Sequence, residues 1–432
     1  MSTETVATII LIGTFFGLII FKVPIVFAIG GSTVLTLWYL DMPIMIVAQN
    51  MIRGISAFTL LAVPFFIIVG ETMGLGMSKR LLTFSTAMVG WFRGGLALVN
   101  ILVSMLFAGK SGSSAADVAS LGPILIPMME EEGYDRDFST CVTITSSIQS
   151  ILIPPSQNMI LFALAAGGGV SIGRLFWGGL VPGIVLGATL MIYVVIVSYK
   201  RNYPKSGAFD LKNVLITFYR SFWGLMTIVI LLAGVTFGFF TATESAAMAT
   251  LWAVMVSMFI YKDITWRDLG GILGRSVKTL SIILILIGTA SAFGWVLAFL
   301  RIPNMVAQSI LGIAGGSHVV GILLICLILL LLGAIMDMSV IILVTTPIFL
   351  PIAQSFGFDP VHFGVIMVLN LGLGLLTPPV GTSLFLGSAI SGIKVERLAL
   401  KMVPFYIVMA VALLIIIFVP QLTLFLPNWL MG

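Results

Sequence analysis

Apolar residues run in blocks along nearly the whole chain, with polar residues confined to short punctuation between them. Blocks near 5–21, 24–40, 44–74, 138–166 and 175–199, then 212–240, 243–261, 279–300, 363–390 and 402–428, are each long enough to cross a bilayer as α-helices. Two further apolar segments, near 92–130 and 318–355, are too long for one helix. Small polar residues interrupt each midway: Gly109-Lys110-Ser111-Gly112-Ser113-Ser114 in one and Gly333-Ala334-Ile335-Met336-Asp337 in the other. These interruptions are too compact for an ordinary loop on the far side of a membrane. Both segments are therefore expected to be re-entrant hairpins whose tips stop near mid-membrane, where non-helical backbone survives only if it lines a cavity or is buried in protein.

An internal repeat organises these blocks. A shift of 224 residues superposes Gly109 on Gly333, Pro123 on Pro347, Pro127 on Pro351, Gly133 on Gly357, Asp135 on Asp359 and Pro154-Pro155 on Pro378-Pro379. Glycine and proline fix backbone shape, so what recurs is geometry. The expected fold is an all-α polytopic membrane protein built as an inverted repeat, with five transmembrane helices plus one re-entrant hairpin per half. Residues 1–200 form the first half (hairpin 92–130, broken helix 138–166) and residues 212–430 the second (hairpin 318–355, broken helix 363–390). Such repeats are the architecture of secondary transporters.

Composition and charge narrow the function classes. Apolar residues make up 59% of the 432 positions and charged residues only 9%, too few to clothe a water-facing surface. Mean hydropathy is +1.20. Val6 to Phe21 is expected to be a retained span, since no basic stretch precedes it and no small-residue cleavage site follows. The net charge of +5 gathers in short loops: Lys79, Arg80 and Arg93; Lys200, Arg201, Lys205 and Lys212; Lys262, Arg267, Arg275 and Lys278; Lys394, Arg397 and Lys401. That distribution is the signature of cytoplasmic loops, not of a nucleic-acid patch. It places both termini in the periplasm. Cys141 and Cys326 lie in apolar surroundings and are expected to be packed thiols.

The chemistry concentrates at four interruptions. Ile153-Pro154-Pro155-Ser156-Gln157-Asn158 and Thr377-Pro378-Pro379-Val380-Gly381-Thr382 each force a helix open, because a double proline removes two N–H donors. Freed carbonyls beside Ser, Thr and Asn oxygens suit a hard cation such as sodium, and the helices that restart offer positive N-termini to a carboxylate. Asp337 is costly at membrane depth unless used. Asp117 fits either a role bonding hydroxyls near its hairpin or direct ligation, and Glu71 and Glu244, near expected helix ends, fit structural roles. His318 and His362 fall at membrane edges. Gly109-Lys110-Ser111 lacks the Walker glycine, because Ser104 stands there, and no strand precedes it. Neither a nucleotide nor an organic cofactor is expected. A Ser–Lys or aspartyl protease would need neither a repeat nor two broken helices, and a channel would need a continuous polar path.

These residues carry a resemblance. SGSSAADVASLGPILIP at 111–127, MMEEEGY at 128–134, IPPS at 153–156, FFTATESAA at 239–247, GAIMDM at 333–338, HFGVIMVLNLGLGLLTPPVGTSLF at 362–385 and VPFFIIVGETM at 63–73 resemble the large permease subunit of the TRAP (tripartite ATP-independent periplasmic) transporters, DctM-like. Departures are small: Lys110 stands where an apolar residue is usual, and Ala242 interrupts a TPTEAA-like turn. The resemblance implies no enzyme but a sodium-driven elevator-type secondary transporter of the bacterial inner membrane, importing a small organic acid anion such as a C4-dicarboxylate, sialic acid or another sugar or keto acid. It implies at least two sodium ions. One site would use Ser111, Gly112, Ser113, Ser114, Pro154, Ser156 and Asn158; the other Gly333, Met336, Asp337, Thr377, Gly381 and Thr382. Substrate would lie between the tips, near Lys110, Ser113, Asn158, Asp337 and Thr382. The implied partners are a small four-helix DctQ-like membrane subunit and a periplasmic DctP-like substrate-binding protein.

Overall fold

The computed structural model describes residues 3–107 and 112–432, and among them only helices, turns and one isolated backbone bridge occur. Gly109, Lys110 and Ser111 lie outside the described residues. The first half comprises α1 (Thr3–Ile20), α2 (Ile25–Tyr39), α3 (Met45–Ile55), α4 (Ala62–Val89), α5 (Gly95–Phe107), α6 (Ser114–Glu131), α7 (Arg136–Ser146), α8 (Gln149–Leu152), α9 (Gln157–Ala165) and α10 (Ile172–Lys200). The second comprises α11 (Leu211–Thr236), α12 (Ala242–Met255), α13 (Trp266–Phe299), α14 (Ile302–Ala314), α15 (His318–Gly333), α16 (Met338–Ser355), α17 (Pro360–Gly374), α18 (Thr382–Ser391), α19 (Val395–Phe418) and α20 (Gln421–Met431). Seven helices among the described residues are long and apolar enough to cross a membrane, and the pair 136–152 with 157–165, bent by 47°, makes an eighth.

Several expected spans are divided. The 44–74 block is not one helix: α3 ends at Ile55, a 3₁₀ turn fills Phe58–Leu61, and α4 runs on to Val89. Lys79 and Arg80 therefore sit inside α4 instead of after it. Arg80 is accommodated there by pairing with Asp263 and by stacking its guanidinium 4.0 Å from the Tyr261 ring. Glu71 is likewise mid-helix, paired with Arg275 of α13 at 2.7 Å. The 279–300 block starts earlier, at Trp266, because Thr265 and Asp268 form a capping box. The 402–428 block breaks at Pro420, leaving α19 and α20. Glu244 does sit at a helix end, completing a capping box with Thr241 that Ala242 leaves intact. Both cysteines are buried and free.

Bounds recur at the shift read from the sequence: α6 and α16 start and end at matching positions, as do the starts of α7 and α17. The N-caps correspond too, Ser113 with Asp337 and Asp135 with Asp359. Their uses differ. Asp359 accepts from Val361 N at 2.7 Å, whereas Asp135 accepts instead from Arg201 Nη1 at 2.6 Å and the Tyr203 hydroxyl at 2.7 Å. The Tyr203 hydroxyl, helped by the Arg201 guanidinium, holds the Asp135 carboxyl below its usual range.

Packing then crosses between halves. α6 lies along α18 and α9 along α16, while α13 packs on α2, α3 and α4. A buried polar ladder ties α5 to α7: Asn100 donates to Thr143 Oγ1 at 2.7 Å, Ser146 to Asn100 Oδ1 at 3.2 Å and Ser104 to Ser146 Oγ at 3.1 Å. α10 presents glycines to the interrupted segment. A Cβ on Gly183 would sit 2.5 Å from Ile153 Cγ1, and one on Gly187 2.7 Å from Met105 Sδ and 3.1 Å from Gln149 Oε1.

Candidate functional site

The first hairpin tip is seated on the first break. Gly112 adopts φ +58°, a left-handed conformation that glycine takes without the Cβ penalty. Its backbone presses so close that a Cβ would lie 2.5 Å from Gln157 N and 3.1 Å from Ser156 Cα. Asn158 closes the contact, donating from Nδ2 to the Gly112 carbonyl at 3.0 Å and leaving its own Oδ1 to accept. Ser113 caps α6 by accepting from Ala116 N, and Ser156 caps α9 by accepting from Met159 N at 3.3 Å. Pro154, Pro155, Ser156 and Asn158 are all buried and Ser113 is half-buried.

The second tip meets the second break in the same manner but with different side chains. Gly333 and Gly374 approach so closely that a Cβ on Gly374 would fall 2.7 Å from Gly333 Cα, and Val380 N donates to Ala334 O at 2.9 Å. Gly381 N donates to Thr377 O at 3.2 Å, and the Thr377 hydroxyl to Leu373 O at 2.8 Å. Asp337 spends one carboxylate oxygen capping α16, accepting from Ser339 N at 2.9 Å. Asp337 and Thr382 are exposed, as are Pro378, Pro379 and Val380, whereas Met336 and Gly381 are buried. α18 starts at Thr382 after Gly381, which supplies no side-chain cap, unlike the caps of α6, α9 and α16. Both Pro–Pro bonds are cis.

One hydroxyl cluster joins the two sites. Ser114 Oγ lies 2.6 Å from Ser147 Oγ and 2.8 Å from Ser383 Oγ, linking the start of α6 to the end of α7 and the start of α18. The structure thus brings Gly112 against Pro155, Ser156, Gln157 and Asn158 at the first tip, with Ser113 and Ser114 following it, and Gly333 and Ala334 against Gly374 and Val380 at the second, where Gly381 bonds Thr377. Met336 instead lines an apolar pocket with Phe15, Phe293 and Ile341. Lys110 and Ser111 lie outside the described residues. Asp117 is buried on α6. His318 opens α15 at its first turn, while His362 is buried and its Nε2 lies 2.9 Å from Ile416 O, a packing role.

Sequence reading did not single out Ser147, Ser383 or Gln149. The first two become partners of Ser114 only through folding. Gln149 is fully buried beside Gly187, with neither amide atom hydrogen-bonded among the described residues. Its signal was available: an amide five residues before a double proline, inside an apolar block. Among the described residues no group of three His, Cys, Asp or Glu side chains converges. The first break offers carbonyl, hydroxyl and amide oxygens and the second adds the single carboxylate of Asp337, all oxygen donors of the kind a hard cation takes.

Comparison with known proteins places this architecture. The family described as "Tripartite ATP-independent periplasmic transporter, DctM component" matches residues 12–422. The C4-dicarboxylate TRAP transporter large permease protein DctM of Pseudomonas aeruginosa is 39% identical over 374 residues, covering 86% of this chain and 87% of that one. The isethionate TRAP transporter permease protein DctMQ of Oleidesulfovibrio alaskensis is 36% identical over 420 residues, 96% of this chain and 66% of that longer protein. The fold also matches the crystal structure of the Alcanivorax borkumensis YdaH transporter, with a TM-score of 0.62 at 14% identity and coverage of 92% and 90%. A multi-pass membrane protein matched along nearly its whole length by transporter permeases, and by no enzyme among these, the chain belongs to the DctM family of TRAP transporter large permeases.

Proposed function

We propose that this permease imports a small organic acid anion, coupled to sodium, by an elevator motion in the bacterial inner membrane, with both termini periplasmic. The observation that carries the reading is the seating of each hairpin tip on its own proline break. In this reading backbone carbonyls with Ser113, Ser114 and Asn158, the last already bonded to the Gly112 carbonyl, would serve the first contact, and Asp337, Thr377 and Thr382 the second, beside the bond from Val380 N to Ala334 O. Ser111, outside the described residues, belongs to the first set and Lys110 to the substrate cavity. Each set can hold one sodium ion, and an ion bound there would fix a tip to its break. Substrate then sits between the tips, where α18 offers an N-terminus without a side-chain cap and Thr382 is exposed. An anionic substrate accords with the C4-dicarboxylate and isethionate named for the relatives.

An inverted relation of the two halves, which the 224-residue shift and the loop charges favour, would let such a site alternate between faces. The partners are a small DctQ-like membrane subunit and a periplasmic DctP-like binding protein that delivers the ligand; the longer DctMQ relative accords with the former. The test is uptake into proteoliposomes holding both membrane subunits, with and without binding protein. Uptake should require sodium and the binding protein and rise sigmoidally with sodium concentration. Full uptake in choline, or a hyperbolic sodium dependence, would remove the paired ion sites.

A further inference from the structure

The charge pattern of the loops passes over Arg53, which the fold carries to membrane depth. It lies in the last turn of α3, and the next residue, Gly54, packs against Ser291 and Ile287 of α13. On α13 the nearest charged residues in sequence are Lys278 and, just beyond the helix, Arg301. At 1.5 Å per residue, Ser291 is about 20 Å from the first and about 15 Å from the second. Arg53 thus stands level with the middle of an apolar wall, further from either charged end than an arginine side chain can reach. A charge there is costly unless it faces a polar cavity or a partner. Arg53 is exposed and takes part in none of the ion pairs among the described residues.

What it faces is a cavity of about 560 Å³ bounded by α3 and α13 on one side and by the end of α9, the exposed turn that follows it at Gly167 and Gly168, and the middle of α16 on the other. Small residues line it (Gly54, Ala57, Gly167, Gly168, Ser291, Gly294), and none of its described lining residues is acidic. On α9, Leu164 at the cavity is six residues past Asn158, and on α16, Leu343 is six past Asp337. The cavity therefore opens about 9 Å along each helix from the tip–break contacts. Gln49, one turn earlier on α3, is also exposed and extends the polar face.

We propose that this cavity is an anion-binding antechamber of the transport site, in which the Arg53 guanidinium holds one carboxylate or sulfonate group of the substrate. The proposal rests on the anionic substrate class inferred above, though not on sodium coupling. A guanidinium fork suits either group bidentately, and its uncompensated charge at a low-dielectric wall favours entry of anions over neutral solutes.

Two measurements on the assembled membrane complex test it. In uptake assays with succinate and isethionate as probes, Arg53→Gln should raise KM about tenfold or more, the loss of one charge-assisted pair, while Arg53→Lys keeps part of the affinity and the sodium midpoint stays put. An unchanged KM in Arg53→Gln overturns the proposal; a wild-type uptake that ignores sodium sinks the coupling instead and leaves this comparison readable. Independently of any substrate, Arg53→Cys should react with a membrane-impermeant, negatively charged thiol reagent, against a background of two buried native cysteines. Failure to react would place Arg53 against lipid, and reaction only in the absence of the small subunit would make it a protein contact; either result removes the antechamber.

Discussion

Gly112→Ala isolates the contact on which the ion-site reading depends. Two penalties separate at this position. The first is the left-handed backbone, φ +58°, which costs a non-glycine residue about 1–2 kcal/mol. The second is steric: the new methyl would meet Gln157 N at 2.5 Å, Ser156 Cα at 3.1 Å and Pro155 O at 3.3 Å, all backbone atoms of the break that cannot rotate away. Forcing a methyl into such a contact costs typically about 1–3 kcal/mol. Gly392 provides the control, since it has a similar φ of +68° and open space around the position a Cβ would take. Gly392→Ala should lose only the first penalty. The difference between the two variants, about 1–3 kcal/mol, should fall on the docked tip and so shift the sodium concentration for half-maximal uptake upward by roughly 5- to 150-fold in Gly112→Ala alone. The assay is sodium-titrated uptake in proteoliposomes, paired with thermal unfolding in detergent at low and saturating sodium. Equal sodium midpoints in the two variants would show that the Gly112 contact is not part of an ion site.

Further outcomes follow from the same contacts. Asn158→Ala and Thr382→Ala should each weaken sodium activation more than they lower expression; unchanged sodium dependence in both would take them out of the ion sites. In detergent, Ser114→Ala and Ser383→Ala should each lower thermal stability modestly and show a coupling of about 0.5–1 kcal/mol in a double-mutant cycle, whereas additive losses would mean the hydroxyl pair 2.8 Å apart contributes nothing. Cysteines introduced at Lys205 and Lys394 should label only from the cytoplasm and one at Arg301 only from the periplasm; labelling of all three from one side is incompatible with an inverted repeat.

The parts of the fold legible in the sequence were those set by backbone-limiting residues. Double prolines marked both breaks, and Gly, Pro and Asp at one fixed spacing marked matching helices, because these residues act on φ and on N–H supply regardless of surroundings. The division of α3 from α4 was not legible: Ser56-Ala57 within a long apolar run is too weak a signal for a turn. Lys79 and Arg80 misled for a related reason. They read as a loop, yet Asp263 and Tyr261, more than 180 positions away, let Arg80 remain in helix. The hydroxyl cluster at Ser114 was out of reach as well, since serine carries no pairing preference until helices bring partners together. Arg53 was missed because loop charges were counted in groups, and a single cation in an apolar block was absorbed into its span.

Matching sequence positions do not give matching packing, and this difference bears on which tip can move. At the first break every proline and the cap are buried, Gly183 and Gly187 of α10 press on the interrupted segment, and a polar ladder ties α5 to α7. In the second half the positions related to Gly179, Gly183 and Gly187 are Val403, Ile407 and Val411 of α19, and these are 46%, 61% and 47% exposed. Valine and isoleucine cannot admit a backbone as closely as glycine does, so α19 turns that face outward and the second break stands uncovered at Pro378–Val380. Separating the first tip from its break must sever buried hydrogen bonds and close contacts at once. Separating the second need disrupt fewer buried groups, chiefly the bond from Val380 N to Ala334 O and the contact of Gly333 with Gly374. Local opening is cheapest where few buried contacts are lost, so the second tip is the one whose docking a bound ion would most change.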